Sequence, residues 1–283
     1  MKLRSVNWFG LIALVAVGCS DGYGGGAGVV PDVVFIPADT ADSGEAAAAG
    51  ETVEAAGFGS ITGKVSLSGD FSPLAPLIKQ GAEVKDKEVC AAVDIPDERL
   101  VVGEGNGVAN VFVYLPKAPK GGKALEIPAE PLVFDQKNCR FFPHCSIVPV
   151  KQVVKVLSDD TVAHNTHTFP AKNTGVNSGV APMDREGKLT YSLAKSENTP
   201  FSIKCDYHTW MNAWQLPVDH PYAAVTDANG SFTIADLPAG KHTFVVWHEA
   251  ADGNYVERKL AVEVKAGETT EVKIDYPAAR LKL

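Results

Sequence analysis

Residues 61–67 (ITGKVSL) alternate apolar and polar side chains with a period of two, which predicts a half-buried strand. Residues 108–115 (VANVFVYL) and 148–157 (VPVKQVVKVL) are rich in β-branched and aromatic residues and predict two more. Pro and Gly punctuate the intervals between these runs, and no segment holds a helical period for long. A single short helix is expected within 82–93. Beyond residue 219 the alternation tightens: 223–226, 231–235, 242–247, 262–264 and 272–274 read as a compact set of strands. Asn229-Gly230 sits between the first two, the dipeptide that favours a hairpin turn. The class predicted is all-β, built as sandwiches.

The N-terminus departs from this pattern. Met1 to Arg4 is basic, and 8–18 is an apolar run of eleven residues ahead of Cys19. A span of the hydrocarbon core needs roughly 20 apolar residues, so the run reads as an export signal. Its end, Ala16-Val17-Gly18-Cys19, resembles a bacterial lipobox, and the resemblance implies cleavage before Cys19 and lipidation of its thiol. The expected location is therefore a membrane-anchored lipoprotein facing the periplasm or the cell exterior. Residues 20–58 carry seven carboxylates and no Lys or Arg, with Gly24-Gly25-Gly26 and an alanine run, and read as a disordered acidic tether. Of the net charge of −8, little is left for the body of the protein. An acidic tail on a near-neutral body is a poor match for phosphate backbones, so nucleic acid is not an expected partner.

The chemistry is concentrated in Cys205-Asp206-Tyr207-His208-Thr209-Trp210-Met211. A thiolate, an imidazole and a thioether on one tight loop are a donor set suited to copper, with Met as a long axial ligand. A second imidazole has to come from another strand, and His164, followed by Asn165, is the candidate.

These residues resemble the cupredoxins, the blue type 1 copper proteins, and the loop spacing is closest to that of amicyanin-type members. The resemblance covers Phe142-Pro143, Ile147-Val148-Pro149-Val150, His164-Asn165 and Cys205-x2-His208-x2-Met211. It implies a Greek-key sandwich over 59–218 and one copper held by His164, Cys205, His208 and Met211. Asn165 would tie the two ligand loops together, and His208 would present its ring edge as the electron port. Residues 70–107 are an insertion that small members lack, and they bear on access to that edge. His144 is a further candidate, as an extra ligand or a residue behind the ligands. The run TDANGSFTIADLPAGKHTFVVW, 226–247, resembles the carboxypeptidase-regulatory-like, transthyretin-like sandwich, relatives of which include accessory domains of rhamnogalacturonan lyases. That resemblance implies a second, small sandwich over 219–283. The combination looks like exported proteins of the methylamine-utilisation type.

With Cys19 assigned to lipid and Cys205 to metal, Cys90, Cys139 and Cys145 remain. A disulfide between Cys90 and Cys139 would staple the insertion to the segment before the third run, and Cys139–Cys145 is the alternative. Trp210 and Trp214 flank the ligand loop as packing or as a lid. Trp247-His248-Glu249 lacks a neighbouring nucleophile and reads as the end of a strand. The expected function is electron transfer to a redox partner protein, with no enzymatic activity of its own. Two alternatives stand beside it: copper handling without rapid electron transfer, and a surface module that binds a glycan through the C-terminal sandwich.

Overall fold

The computed structural model describes residues 57–283, all within one compact unit, Glu51–Leu283. The export signal, the lipidation site Cys19 and nearly all of the tether lie outside the described residues. Among the described residues no helix is long and apolar enough to cross a membrane.

The chain is all-β. Its first strands are β1 (Phe58–Ser68), β2 (Phe112–Tyr114), β3 (Leu132–Lys137), β4 (Arg140–Phe142), β5 (Cys145–Pro149), β6 (Val153–Val156), β7 (His164–Thr168) and β8 (Asn177–Val180). They are followed by β9 (Leu189–Ser192), β10 (Phe201–Lys204), β11 (Asn212–Val218), β12 (Ala223–Val225), β13 (Ser231–Pro238), β14 (Gly240–Trp247), β15 (Tyr255–Val264) and β16 (Thr269–Pro277). The helix expected within 82–93 is a single turn, α1 (Lys87–Cys90).

Four sheets pair into two sandwiches. The first joins the sheet β5-β11-β10-β7-β8 to the sheet β4-β3-β6-β9. One apolar cluster fills the space between them, with Phe134 and Phe141 stacked on one side and Val148, Ile203 and Ala213 on the other. Cys205 and Met211 belong to the same cluster. The second sandwich joins β13-β1-β16 to β12-β2-β14-β15 around Val65, Val113, Phe244, Val246 and Tyr276.

Strand pairing departs from the sequence-based boundaries. β1 and β2 lie before the first sandwich in the chain, yet both build the second: β1 pairs antiparallel with β13 and parallel with β16, and β2 pairs with β12 and β14. A module of residues 219–283 alone would leave both edges of β1's slot unpaired, so the N-terminal strands complete it. The Asn229-Gly230 turn forms, with Gly230 N–H bonded to Asp227 O at 3.0 Å, but the strands it joins part company. β12 enters one sheet, beside β2, and β13 the other, beside β1. The run 148–157 also breaks at Lys151, whose φ of 69° turns the chain from the sheet of β5 to that of β6.

A third cluster, Phe112, Tyr114, Cys145, Leu216, Val218 and Trp247, packs the two sandwiches together. Trp247 lies edge-on to Phe112 at 5.6 Å and beside Trp214 at 4.8 Å.

Cys90 and Cys139 are joined by a disulfide across 49 residues, fastening α1 to the tight β3–β4 turn. Constraining a loop of that length in the unfolded chain is worth about 4 kcal/mol in the chain-entropy treatment. The double variant Cys90→Ser/Cys139→Ser is expected to lose about 2–4 kcal/mol of unfolding free energy. Urea denaturation followed by tryptophan fluorescence reads this as a lower midpoint.

Candidate metal centre

β7 opens with His164, and the loop from β10 to β11 carries Cys205, His208 and Met211. β7 and β10 are neighbours, with Lys204 opposite His167 and Ile203 opposite Thr168. That register brings the start of β7 against the loop leaving β10. Inside the loop, Met211 N–H donates to His208 O at 2.9 Å and Cys205 N–H to Met211 O at 3.3 Å, folding seven residues into a closed turn.

His164, Cys205 and His208 offer ligand atoms that lie within 4.8 Å of one another, all on buried residues. His164 Nδ1 is 3.0 Å from His208 Nδ1, and Cys205 Sγ is 3.7 Å from His208 Nδ1. The other ring nitrogens are committed. His164 Nε2 meets Asp160 Oδ2 at 2.9 Å, and His208 Nε2 meets Asp86 Oδ2 at 2.9 Å. A carboxylate accepts, so each Nε2 carries a proton, and once a ring is neutral its Nδ1 turns a lone pair inward. Two lone pairs that close repel unless a proton or a cation stands between them. Burial alone would raise the Cys205 thiol, but hydrogen bonds from His164, His208 and backbone N–H groups pull its pKa down to about 6. Two imidazole nitrogens and a thiolate converging out of water fit a soft or borderline transition metal such as copper.

The carboxylate behind His164 is held in turn. Asp160 accepts the N–H groups of Asn138 at 2.6 Å and Cys139 at 2.8 Å. Burial pushes its pKa up, but His164 and those two N–H groups outweigh this and hold it below the usual carboxylate value.

Asn165 joins the two ligand-bearing segments. Its Oδ1 accepts the N–H of Asp206 at 2.6 Å, and its Nδ2 donates to Asp206 Oδ2 and Asn177 Oδ1, both at 2.8 Å. Met211 is buried beside Cys205 in the sandwich core and ties the loop through its backbone. Trp210 lies over His208, with ring centroids 5.3 Å apart, and donates its indole N–H to Cys139 O at 3.3 Å.

Two expectations are corrected. His208 does not present a ring edge: it is fully buried, because the segment leading into α1 lays Asp86 across its Nε2. His144 does not join the ligand atoms. It precedes the edge strand β5, which β11 separates from β10, and its ring turns to the seam between the sandwiches. There Nε2 bonds to Glu249 and Nδ1 stands 3.8 Å from Glu98. Neither Cys145 nor Cys205 is in a disulfide. Burial, Glu249 and Glu98 push the Cys145 thiol well above its ordinary value, so the surroundings leave Cys205 as the thiolate.

Asp160 and Asp86 escaped the sequence reading. Asp160 stands four residues before His164, a spacing that brings side chains together on a helix but carries no such meaning before a strand. Asp86 lies 122 residues from its histidine.

A family described as "Polysaccharide lyase family 4, domain II" matches residues 194–272. Rhamnogalacturonate lyase B of Emericella nidulans is 29% identical over 98 residues, 34% of this chain and 14% of that protein, so the chain spans a small part of the relative. Among solved structures, amicyanin from Paracoccus versutus is 11% identical over 39% of this chain and 99% of that one, with a TM-score of 0.27. A purple cupredoxin from Nitrosopumilus maritimus is 17% identical over 31% of this chain and 99% of that one, with a TM-score of 0.26.

The seam histidines give a pH signature. Burial would lower the pKa of His144, but Glu249 and Glu98 outweigh it and hold it above the ordinary value. A raised folded pKa contributes stability that is complete below the unfolded value of about 6.5 and lost as pH rises through the folded one. His248 has the opposite sign: burial pushes it down to about 4, so its contribution is lost as pH falls from about 6.5 towards that value. Stability measured by urea between pH 6 and 8.5 is expected to fall on the alkaline side, and His144→Gln to flatten that fall.

Proposed function

We propose that the protein is an exported, lipid-anchored electron carrier with one type 1 copper held by His164, Cys205, His208 and Met211. The observation that carries this reading is the pair of imidazoles whose Nε2 atoms are tied to Asp160 and Asp86, leaving both Nδ1 atoms aimed at one point beside the Cys205 thiolate. Copper supplies a one-electron couple, Cu(I)/Cu(II). The chain's part is to hold the donors in one arrangement. His164 is fixed on β7 and by Asp160; Cys205 and His208 are fixed by the closed turn and by Asn165. Core packing around Cys205 and Met211 keeps water away and limits rearrangement on gaining or losing an electron. The partner is a redox protein of the exported compartment, and the acidic tether gives the body reach from the membrane. A combined cupredoxin and regulatory-like chain of the methylamine-utilisation type fits this role.

A second reading rests on the match to the polysaccharide lyase domain and on the lyase from Emericella nidulans. In it the second sandwich binds a glycan and the thiolate site handles copper without rapid electron transfer.

Residues 57–283, loaded with Cu(II) and desalted, provide the test. One copper per chain is expected, with an intense thiolate-to-copper band that bleaches on reduction and is absent in Cys205→Ala and His164→Ala. Colourless protein that retains no copper overturns the electron-carrier reading. Binding of a rhamnogalacturonan fragment that survives Cys205→Ala supports the second.

A further inference from the structure

The inserted segment does more than shield the site. Asp86 is the only partner of His208 Nε2 among the described residues, and it reaches that atom from outside the first sandwich's sheets. Its backbone is in the left-handed region, with φ 54° and ψ 39°, which Asp enters more readily than most residues other than glycine. Two devices hold it. Asp86 O accepts the N–H groups of Val89 at 3.0 Å and Cys90 at 2.9 Å, closing α1. Cys90 is in turn bonded to Cys139, four residues along from the aspartate.

Cys139 is also where the support of the other histidine begins. Asn138 and Cys139 both have positive φ, 50° and 53°, the two central positions of a tight β3–β4 turn, and their N–H groups fix Asp160 behind His164. Cys139 O takes the indole N–H of Trp210, the residue over the His208 ring. The sulfurs of Cys90 and Cys139 lie within 4.8 Å of a His208 ring nitrogen. One disulfide therefore joins the carboxylate supports of both imidazoles. Val84, Val89, Ile78 and Ile95 pack the segment onto the cluster that contains Cys205 and Met211, so it is seated and not draped.

We propose that Asp86 is a positioning residue for His208, held in place by the Cys90–Cys139 disulfide, and that it fixes the tautomer which turns Nδ1 towards the metal point. The proposal rests on the metal reading for its consequence but not for its test. Loss of a carboxylate behind a ligating histidine typically costs about 10–100-fold in metal affinity. A negative charge on the far side of the ring also favours the more highly charged ion, so its removal raises the reduction potential.

Three variants separate the outcomes: Asp86→Asn, which keeps an acceptor oxygen without the charge; Asp86→Ala, which removes both; and Cys90→Ser/Cys139→Ser, which keeps Asp86 but unfastens it. Nitrogen-15 NMR of the metal-free protein reads the His208 tautomer, and chelator competition with Cu(II) reads affinity. The wild type is expected to keep His208 Nε2 protonated, as the Nε2–H tautomer once the ring is neutral. Asp86→Ala and the disulfide variant are expected to show mixed tautomers and to bind Cu(II) about 10–100-fold more weakly. Asp86→Asn is expected to keep the tautomer while the potential rises and Cu(II) affinity falls less than in Asp86→Ala. A wild-type tautomer and affinity in folded Asp86→Ala overturn the proposal, and the same result in the disulfide variant overturns the part assigned to Cys90–Cys139. If the wild type binds no Cu(II), the metal reading falls, and the tautomer alone decides the role of Asp86.

Discussion

Two imidazole nitrogens and a thiolate sit within a few ångströms of one another, out of water, and the surrounding structure is arranged to keep them there. Left alone, such a cluster is unfavourable: lone pairs face each other at 3.0 Å and a sulfur of lowered pKa is partly desolvated. The chain answers by anchoring the far side of each group. Asp160 and Asp86 take the outer ring protons, Asn165 locks Asp206 beside Cys205, and the β10–β11 loop closes on its own backbone. Each anchor comes from a different element, so the arrangement exists only in the completed fold.

That constraint explains why the segment around α1, ahead of the first sandwich, is built as it is. A cover that merely excluded water could be apolar throughout. This one carries an aspartate in a left-handed conformation and a disulfide at the other end of a single helical turn. The same Cys139 that receives the disulfide supports Asp160 through its N–H and Trp210 through its carbonyl. The ligand end of the sandwich is thus closed by covalent and hydrogen-bonded links that converge on one residue.

The second sandwich is coupled to the first by more than chain connectivity. β1 and β2 precede the first sandwich in sequence but complete the sheets that follow it. The aromatic seam of Phe112, Trp214 and Trp247 and the buried contact of His144 with Glu249 then bind the two together. Such threading makes the second sandwich depend on strands from both sides of the first, since β1 and β2 must arrive before its sheets can close.

Alternation in 61–67 and 231–235, and the β-branched content of 108–115, were enough to give the all-β class, because a strand's burial pattern is a local property with period two. The Cys205–Met211 spacing and the His164-Asn165 pair were enough to nominate the donor set, because soft ligands at short spacing on a loop are rare without a metal to hold. Sheet membership was not legible. Whether β12 pairs with β13 or with β2 is decided by how the sheet faces pack, and both choices satisfy the same alternation. Nor were the outer carboxylates, the burial of His208, or the turning of His144 to the seam. Asp86 is an ordinary surface-type residue in sequence, and only the three-dimensional path of the insertion brings it to an imidazole 122 positions away. Local chemistry selects the atoms that can bind; long-range packing decides which of their lone pairs face inward, and that is a property of contacts the one-dimensional pattern does not contain.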